Sequence, residues 1–348
     1  MNNQEQKINP QMIILARESR GLTQKELADL LQISAGKLCR VEQEDQTFTG
    51  EIIKQLSEVL KYPESFFYQS GDAYIISTIN FRMRDKVSAK MLSSIEAKTS
   101  IFRMNLETLV KLTKFPASKL PDLTVMVTGS AEESAKQLRK LWKLPKGPVE
   151  NITELLEDHG IPVMSIDFGT ERVDSRAVLL SDYKHAAIVI NKLMLGDRQR
   201  FSLAFHLGHL VMHNAKTIPA ESRIDHEAKV FAAEFLMPEA DIRKDFEGNI
   251  TISMLATLKR KWMTSMQALM YRASDLGFLT PNQQRYLISQ FNSLKIRRRE
   301  PSELDIPVEK PLLMRDLITR YRGVQKMSVK EMATLLHLTP EEFSEKYK

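Results

Sequence analysis

Four of the seven histidines, His206, His209, His213 and His226, fall in one short stretch of the 348-residue chain. Residues three, four and seven apart share a face of an α-helix, so His206, His209 and His213 would present their imidazoles together. The four-residue step from His209 to His213 is the one zinc favours when two imidazoles of one helix bind it. Hydrolysis at such a metal also needs a carboxylate to take a proton from the bound water. Leu210 stands where a glutamate would follow His209. The residues leave two readings open: a zinc site without its base, or buried histidines making ordinary hydrogen bonds.

A helix must hold these histidines, and residues 198–213 have its period. Residues 227–238 read as a second helix, ended by Pro238. Ahead of them the pattern predicts a helix over 151–159 and a strand over 161–166. Two apolar runs, 177–180 and 186–190, are joined by residues 181–185 as a hairpin.

The segment from Leu141 to just past Pro238 resembles the ImmA/IrrE family of metallopeptidase-like domains. The likeness is carried by LPKGP (144–148), GIPV (160–163), Ile190-Asn191, Arg200-Phe201, LGHL (207–210) and FAAEFLMP (231–238). The family implies a helix with the pattern HExxH, in which two histidines one turn apart hold zinc and the glutamate activates water. Aligned with it, this chain reads FHLGH over 205–209. Phe205 stands for the first ligand and His206 for the base, while His209 keeps the second ligand position and Glu227 matches the third. His206, His209, His213 and Glu227 together make a displaced candidate metal site. The resemblance thus implies a zincin-like domain with no catalytic residue, and either no cofactor or zinc at this degenerate site.

The N-terminal residues point to recognition. After Pro10, the apolar Met12, Ile13, Leu15 and Ala16 predict a helix stopped by Gly21. Thr23 and Glu26 form a capping box for a second helix, in which Ala28 is the small residue that a tight helix crossing needs. Ser34 caps a third helix carrying Leu38, Val41 and Glu42. A fourth (Ile52, Ile53, Leu56, Val59, Leu60) and the PESFF stretch at 63–67 close a small bundle. The string LTQKELADLLQIS at 22–34, with Leu38, Val41 and Glu42, resembles the XRE (lambda-repressor-like) helix-turn-helix family. That resemblance implies a third helix in the DNA major groove. It makes Gln24, Ser34, Ala35, Gly36, Lys37 and Arg40 the candidate DNA contacts. Ala35 and Gly36 stand where the family often has long polar side chains. Lys37 reaches guanine or phosphate, whereas Ala35 offers only a contact to a thymine methyl.

Charge bounds the partners. Fifty Lys and Arg against 44 Asp and Glu give a net charge of +6, which permits an anionic partner. Residues 1–50 hold six basic and seven acidic side chains, whereas 81–119 hold nine against three, a surplus of six. Lys259-Arg260-Lys261 and the group Lys295, Arg297, Arg298 and Arg299 are further basic knots. Attraction for a polyanion is therefore expected from outside the N-terminal module as well, although each knot singly reads as a solvated helix face. The one cysteine, Cys39, excludes an intrachain disulfide and a thiolate zinc knuckle, and fits a reducing compartment. No apolar run reaches the length of a membrane span, and the polar start MNNQEQKINP is no signal peptide, so a cytoplasmic protein is expected. With 43% hydrophobic and 27% charged residues, collagen-like, mucin-like and disordered classes are excluded.

Between the modules, residues 74–81 alternate as a short strand or extended link. Residues 88–115 predict a long amphipathic helix whose stripe buries against a neighbouring helix or a second subunit, and 130–141 predict another helix. Residues 252–279 read as helical. Residues 327–343 echo 22–38, but with Pro340, Glu341 and Glu342 in the groove-facing positions. Carboxylates there repel phosphate, so this unit is expected to serve packing or protein interaction.

The expected fold is mainly α with a small β-sheet (α+β). It comprises a lambda-repressor-like helical bundle (1–70), a helical linker (71–140), a zincin-like α+β domain (141–245) and a helical C-terminus (246–348). The expected function is that of a DNA-binding transcriptional regulator, repressor or antitoxin-like, acting as a homodimer on double-stranded DNA. Its inactive metallopeptidase-like domain would sense or bind a partner such as a protein toxin or a repressor. The alternative is a zinc-dependent endopeptidase that cleaves a repressor protein.

Overall fold

The structure is a computed structural model that describes residues 7–70, 81–213 and 223–347. In the N-terminal part the first three helices begin where the sequence offers a cap. α1 (Pro10–Ser19) starts at Asn9, whose side chain accepts the Gln11 N–H, and α2 (Gln24–Leu30) starts at the Thr23–Glu26 capping box. Ser34 caps α3 (Ala35–Glu42), and α4 (Gly50–Leu60) follows. Each cap accepts an N–H that the first helical turn leaves unpaired. Met12, Leu15, Leu27, Ala28, Leu38 and Leu56 are fully buried between these helices, and Phe66 and Phe67 close the base. A buried ion pair, Arg17 Nε to Glu42 Oε1 at 2.7 Å, ties α1 to α3.

The strand or link expected over 74–81 lies, except for Phe81, outside the described residues. A two-residue strand, β1 (Arg82–Met83), precedes α5 (Ala89–Thr113), which Ser88 caps. The α5 stripe of Ile95, Ile101, Phe102, Leu106 and Leu109 is buried, and the helix packs along α1 of the same chain. Next come the single turn α6 (Val125–Thr128), α7 (Ala131–Leu141) and α8 (Ile152–Asp158). The sheet adds β2 (Val163–Ile166), β3 (Val173–Leu179) and β4 (Ala186–Asn191) in the spatial order β1-β3-β4-β2. β3 and β4 form the expected antiparallel hairpin, β2 runs parallel to β4, and β1 lies antiparallel on the outer edge of β3.

α9 (Gly196–Met212) and α10 (Ile224–Leu236) then pack closely on each other. A Cβ at Gly208 would come within 2.8 Å of the Phe231 ring, so only glycine permits this approach. After α11 (Glu239–Ile242), the helical stretch expected over 252–279 divides into α12 (Ile252–Trp262) and α13 (Met266–Asp275). The reason is local: Met263 takes a left-handed conformation at φ +53° and Ser265 caps the next helix. α14 (Pro281–Ser293) completes this part.

Because side chains alternate across a strand, the two faces of the sheet feed two apolar cores. Val163, Ala177, Ile188 and Ile190 join a core that runs from α7 to α14. Met164, Val178, Ala187 and Val189 join the other, which contains the N-terminal helices, α5 and the last three helices. These are α15 (Leu313–Gln325), α16 (Val329–Leu335) and α17 (Pro340–Tyr347), so residues 246–348 are shared between the cores.

α15–α17 repeat the geometry of α1–α3. Ser328 and Glu331 form a capping box as Thr23 and Glu26 do. Gln32 and His337 both turn left-handed, at φ +54° and +51°. The Leu338 N–H donates to the Ala333 carbonyl just as Ile33 donates to Ala28. The copy is turned inward: Glu342 pairs with Arg20 of the first unit at 3.0 Å, and Phe343 and Tyr347 are buried.

Candidate nucleic-acid interface and the altered peptidase centre

On α3, Ser34, Ala35, Gly36 and Arg40 are exposed and Lys37 is half-exposed. The Ser34 hydroxyl accepts the Lys37 N–H at 3.2 Å, which fixes the first turn and leaves the Lys37 side chain to reach outward. A Cβ on Gly36 would meet nothing nearer than Arg40 Nη1 at 3.8 Å, so packing does not demand glycine there. The sixth candidate, Gln24, is held differently. Its Nε2 donates to Glu42 Oε2 at 2.6 Å, and Glu42 also takes both ends of the Arg17 fork. Five candidates thus share the first two turns of α3, while Gln24 is anchored on its last turn.

The histidine helix, α9, is a different environment. Phe205 is 3% exposed, and His206 and His209 are fully buried. The Phe205 ring meets the His209 ring edge-to-face with centroids 4.7 Å apart. His206 Nε2 lies 2.9 Å from the Ser175 hydroxyl on β3, so it is engaged with the sheet, its ring centre 6.1 Å from that of His209. His213 bridges its neighbours: Nδ1 is 3.0 Å from His209 Nδ1, and Nε2 is 2.8 Å from Glu227 Oε2. Because Glu227 can only accept when ionised, this network assigns the His213 proton to Nε2 and the His209 proton to Nδ1. His209 Nε2 is left as a buried lone pair without a hydrogen-bond partner, 3.6 Å from Asp225 Oδ1. Burial drives the His206 pKa well below the usual range, and burial, followed by the repulsion a second proton on His213 exerts, lowers that of His209 to about 3. Both rings are therefore neutral at pH 7.

This arrangement does not fit the zinc that an HExxH helix would hold. Zinc in a catalytic site takes three protein ligands converging on one point. Here Phe205 supplies a benzene ring, Glu227 is turned to the far nitrogen of His213, and the two unengaged nitrogens, His209 Nε2 and His206 Nδ1, have no third ligand beside them. Among the described residues, no group of three or more His, Cys, Asp or Glu side chains is placed to hold a metal ion. His209, His213 and Glu227 are brought together, but as a hydrogen-bonded chain; His206 is not.

Over this buried helix lies an arginine from β1. Arg82 Nη1 donates to Asp174 Oδ2 at 2.5 Å and to the Ser202 hydroxyl at 2.7 Å. Its guanidinium stands 5.2 Å from the Phe201 ring centre and 5.7 Å from that of Phe205. Asp174 is buried and also pairs with Arg198. Two guanidinium groups, of Arg82 and Arg198, thus flank one buried carboxylate beside α9.

Residues 13–67 match the family model described as helix-turn-helix, and residues 156–274 match the one described as the IrrE N-terminal-like domain. The chain joins an XRE-type helix-turn-helix to an IrrE/ImmA-like domain. The first match points to a DNA-binding regulator and the second to the IrrE/ImmA-like protease family. The IrrE-like match begins in α8 and runs through α12 and into α13. No curated protein matches the chain. The architecture is α+β, mainly helical with a small mixed sheet, as expected. Among the described residues, no helix is long and apolar enough to cross a membrane.

Sequence reasoning missed Arg82, Asp174 and Arg198, because β1 is too short to leave a period and Asp174 carries no motif. The charge surplus over 81–119 was the available signal. The knot at 259–261 is a solvated face only at Arg260 and Lys261, which are exposed. Lys259 is buried and bonds Asp197 at 2.5 Å and Glu300 at 2.7 Å, and Lys261 pairs with Asp245.

Proposed function

We propose that the chain is a transcriptional regulator, repressor or antitoxin-like, that acts in the cytoplasm as a homodimer on double-stranded DNA. Ser34, Ala35, Gly36, Lys37 and Arg40 meet the duplex, with Gln24 orienting the α2–α3 pair through Glu42. The IrrE-like domain does not cut; it senses a signal or binds a partner such as a toxin or a repressor protein. The observation that carries this reading is the contrast in access: the α3 motif is open to solvent, whereas the FHLGH motif is core, with Phe205 filling a ligand position.

The test measures binding of the full chain to the DNA upstream of its own coding region. Lys37→Ala/Arg40→Ala should weaken it strongly, and unchanged affinity would overturn the docking. Metal content and proteolysis of the purified protein are measured beside a Phe205→His/His206→Glu variant. Stoichiometric zinc and cleavage of a repressor by the unaltered chain would establish the endopeptidase instead.

A further inference from the structure

Two cavities, of about 580 and 1160 Å³, share Arg84, Leu195, Arg198, Gln267 and Arg298 as walls, and so form one cleft. The smaller lobe has Phe201, Val230, Ala268 and Tyr271 as its apolar and aromatic walls, Tyr271 being 45% exposed, with Lys229 and Asp275 among its polar ones. The larger lobe is cationic: Arg84, Arg172, Lys295, Arg297 and Arg298 line it, against Asp85 and Glu171. Among the described residues, none of these five cations pairs with a carboxylate. Arg84 Nη2 even donates to the carbonyl of Arg298 at 3.2 Å, which holds two cationic residues side by side. Elsewhere the same region neutralises its bases: Lys259 has Asp197 and Glu300, and Arg299 has Asp305 at 2.5 Å. Cations gathered without counter-charge repel one another, and an anion in the cleft relieves that repulsion. Arginine rather than lysine predominates, and the guanidinium fork matches phosphate oxygens in pairs. Beside this wall, an open tyrosine ring and an apolar floor suit a flat heterocycle, and the smaller lobe has the volume of a small-molecule site.

We propose that this cleft binds a nucleoside phosphate, with the base in the Phe201–Tyr271 lobe and the phosphates on Arg84, Arg298 and their neighbours. The site names the signal for the sensing domain above and rests on that reading only for its effect on DNA. A path to the DNA-binding unit exists: β1 leads through Ser88 into α5, whose Lys90 pairs with Glu26 of α2 at 2.8 Å.

Isothermal titration of the full chain with ATP, GTP, inorganic tripolyphosphate and a single-stranded oligonucleotide tests the proposal. One of the two nucleotides should bind at a single site. Arg84→Ser/Arg298→Ser, two exposed positions, should weaken it by about tenfold or more, with the melting temperature confirming the fold. Tyr271→Ala should weaken the nucleotide while leaving tripolyphosphate unchanged. No binding of either nucleotide up to millimolar concentration, or equal affinity in the arginine variant, would overturn the site. So would tripolyphosphate or the oligonucleotide binding more tightly than both nucleotides. Lys37→Ala/Arg40→Ala should retain nucleotide binding, so loss of the DNA reading and loss of the ligand site register in different measurements.

Discussion

α3 and α9 each carry the motif by which its family is recognised, yet they stand in opposite environments. Ser34, Ala35, Gly36 and Arg40 are exposed on or beside α3, while every residue of α9 from Ser202 to Met212 is buried. A side chain acts on a partner only where the partner can reach it. On α3 the side chains that differ from family habit, Ala35 and Gly36, lie on the surface, where a partner can reach them. On α9 the differing side chain, Phe205, has become part of the packing, and the histidines beside it bond to Ser175, to one another and to Glu227. One motif lies at the surface; the other is core.

The contrast breaks first at Phe205. Phe205→Ala should destabilise the chain by about 3–5 kcal/mol, measured by denaturant unfolding, because it empties a buried site. A loss below about 1 kcal/mol would mean the ring is not core at all. Lys37→Ala/Arg40→Ala should leave unfolding unchanged and reduce operator affinity by about 10–100-fold, with a shallower salt dependence in gel-shift titrations.

Acid sharpens the comparison further. The folded pKa of His209 is about 3 and that of His206 is also depressed, both below the unfolded value near 6.5. Above pH 6.5 neither state binds these protons and the full stability is present. As pH falls from 6.5 toward 3 the unfolded chain takes up protons that the folded chain refuses, so stability drops by up to about 1.4 kcal/mol per pH unit for each histidine. Melting curves between pH 7.5 and 5 should show that slope, and a flat profile would place water at the rings. The smallest effect belongs to the inward-facing copy. Glu342→Gln weakens the pair with Arg20, and should cost about 1 kcal/mol or less, seen as faster hydrogen exchange across residues 328–347.

The copy shows why some of this molecule was readable in advance. Ser328 and Glu331 cap α16 by the same rule as Thr23 and Glu26 cap α2, and such rules act within four residues. The helix stripes of α1 and α5 and the β3–β4 hairpin are legible for the same reason. β1 was not, since two residues leave no pattern; nor was the break at Met263, where a left-handed residue interrupts an apolar period.

Local chemistry therefore decides that a helix-turn-helix begins this chain and that Phe205 and His206 replace a ligand and a base, because both are matters of residue type and spacing. It does not decide that Glu227 turns to His213, that Lys259 is buried between Asp197 and Glu300, or that Arg84 meets Arg298 across more than two hundred residues. Those meetings depend on how the two cores pack and on which charges burial forces into pairs. No short window of sequence holds that information.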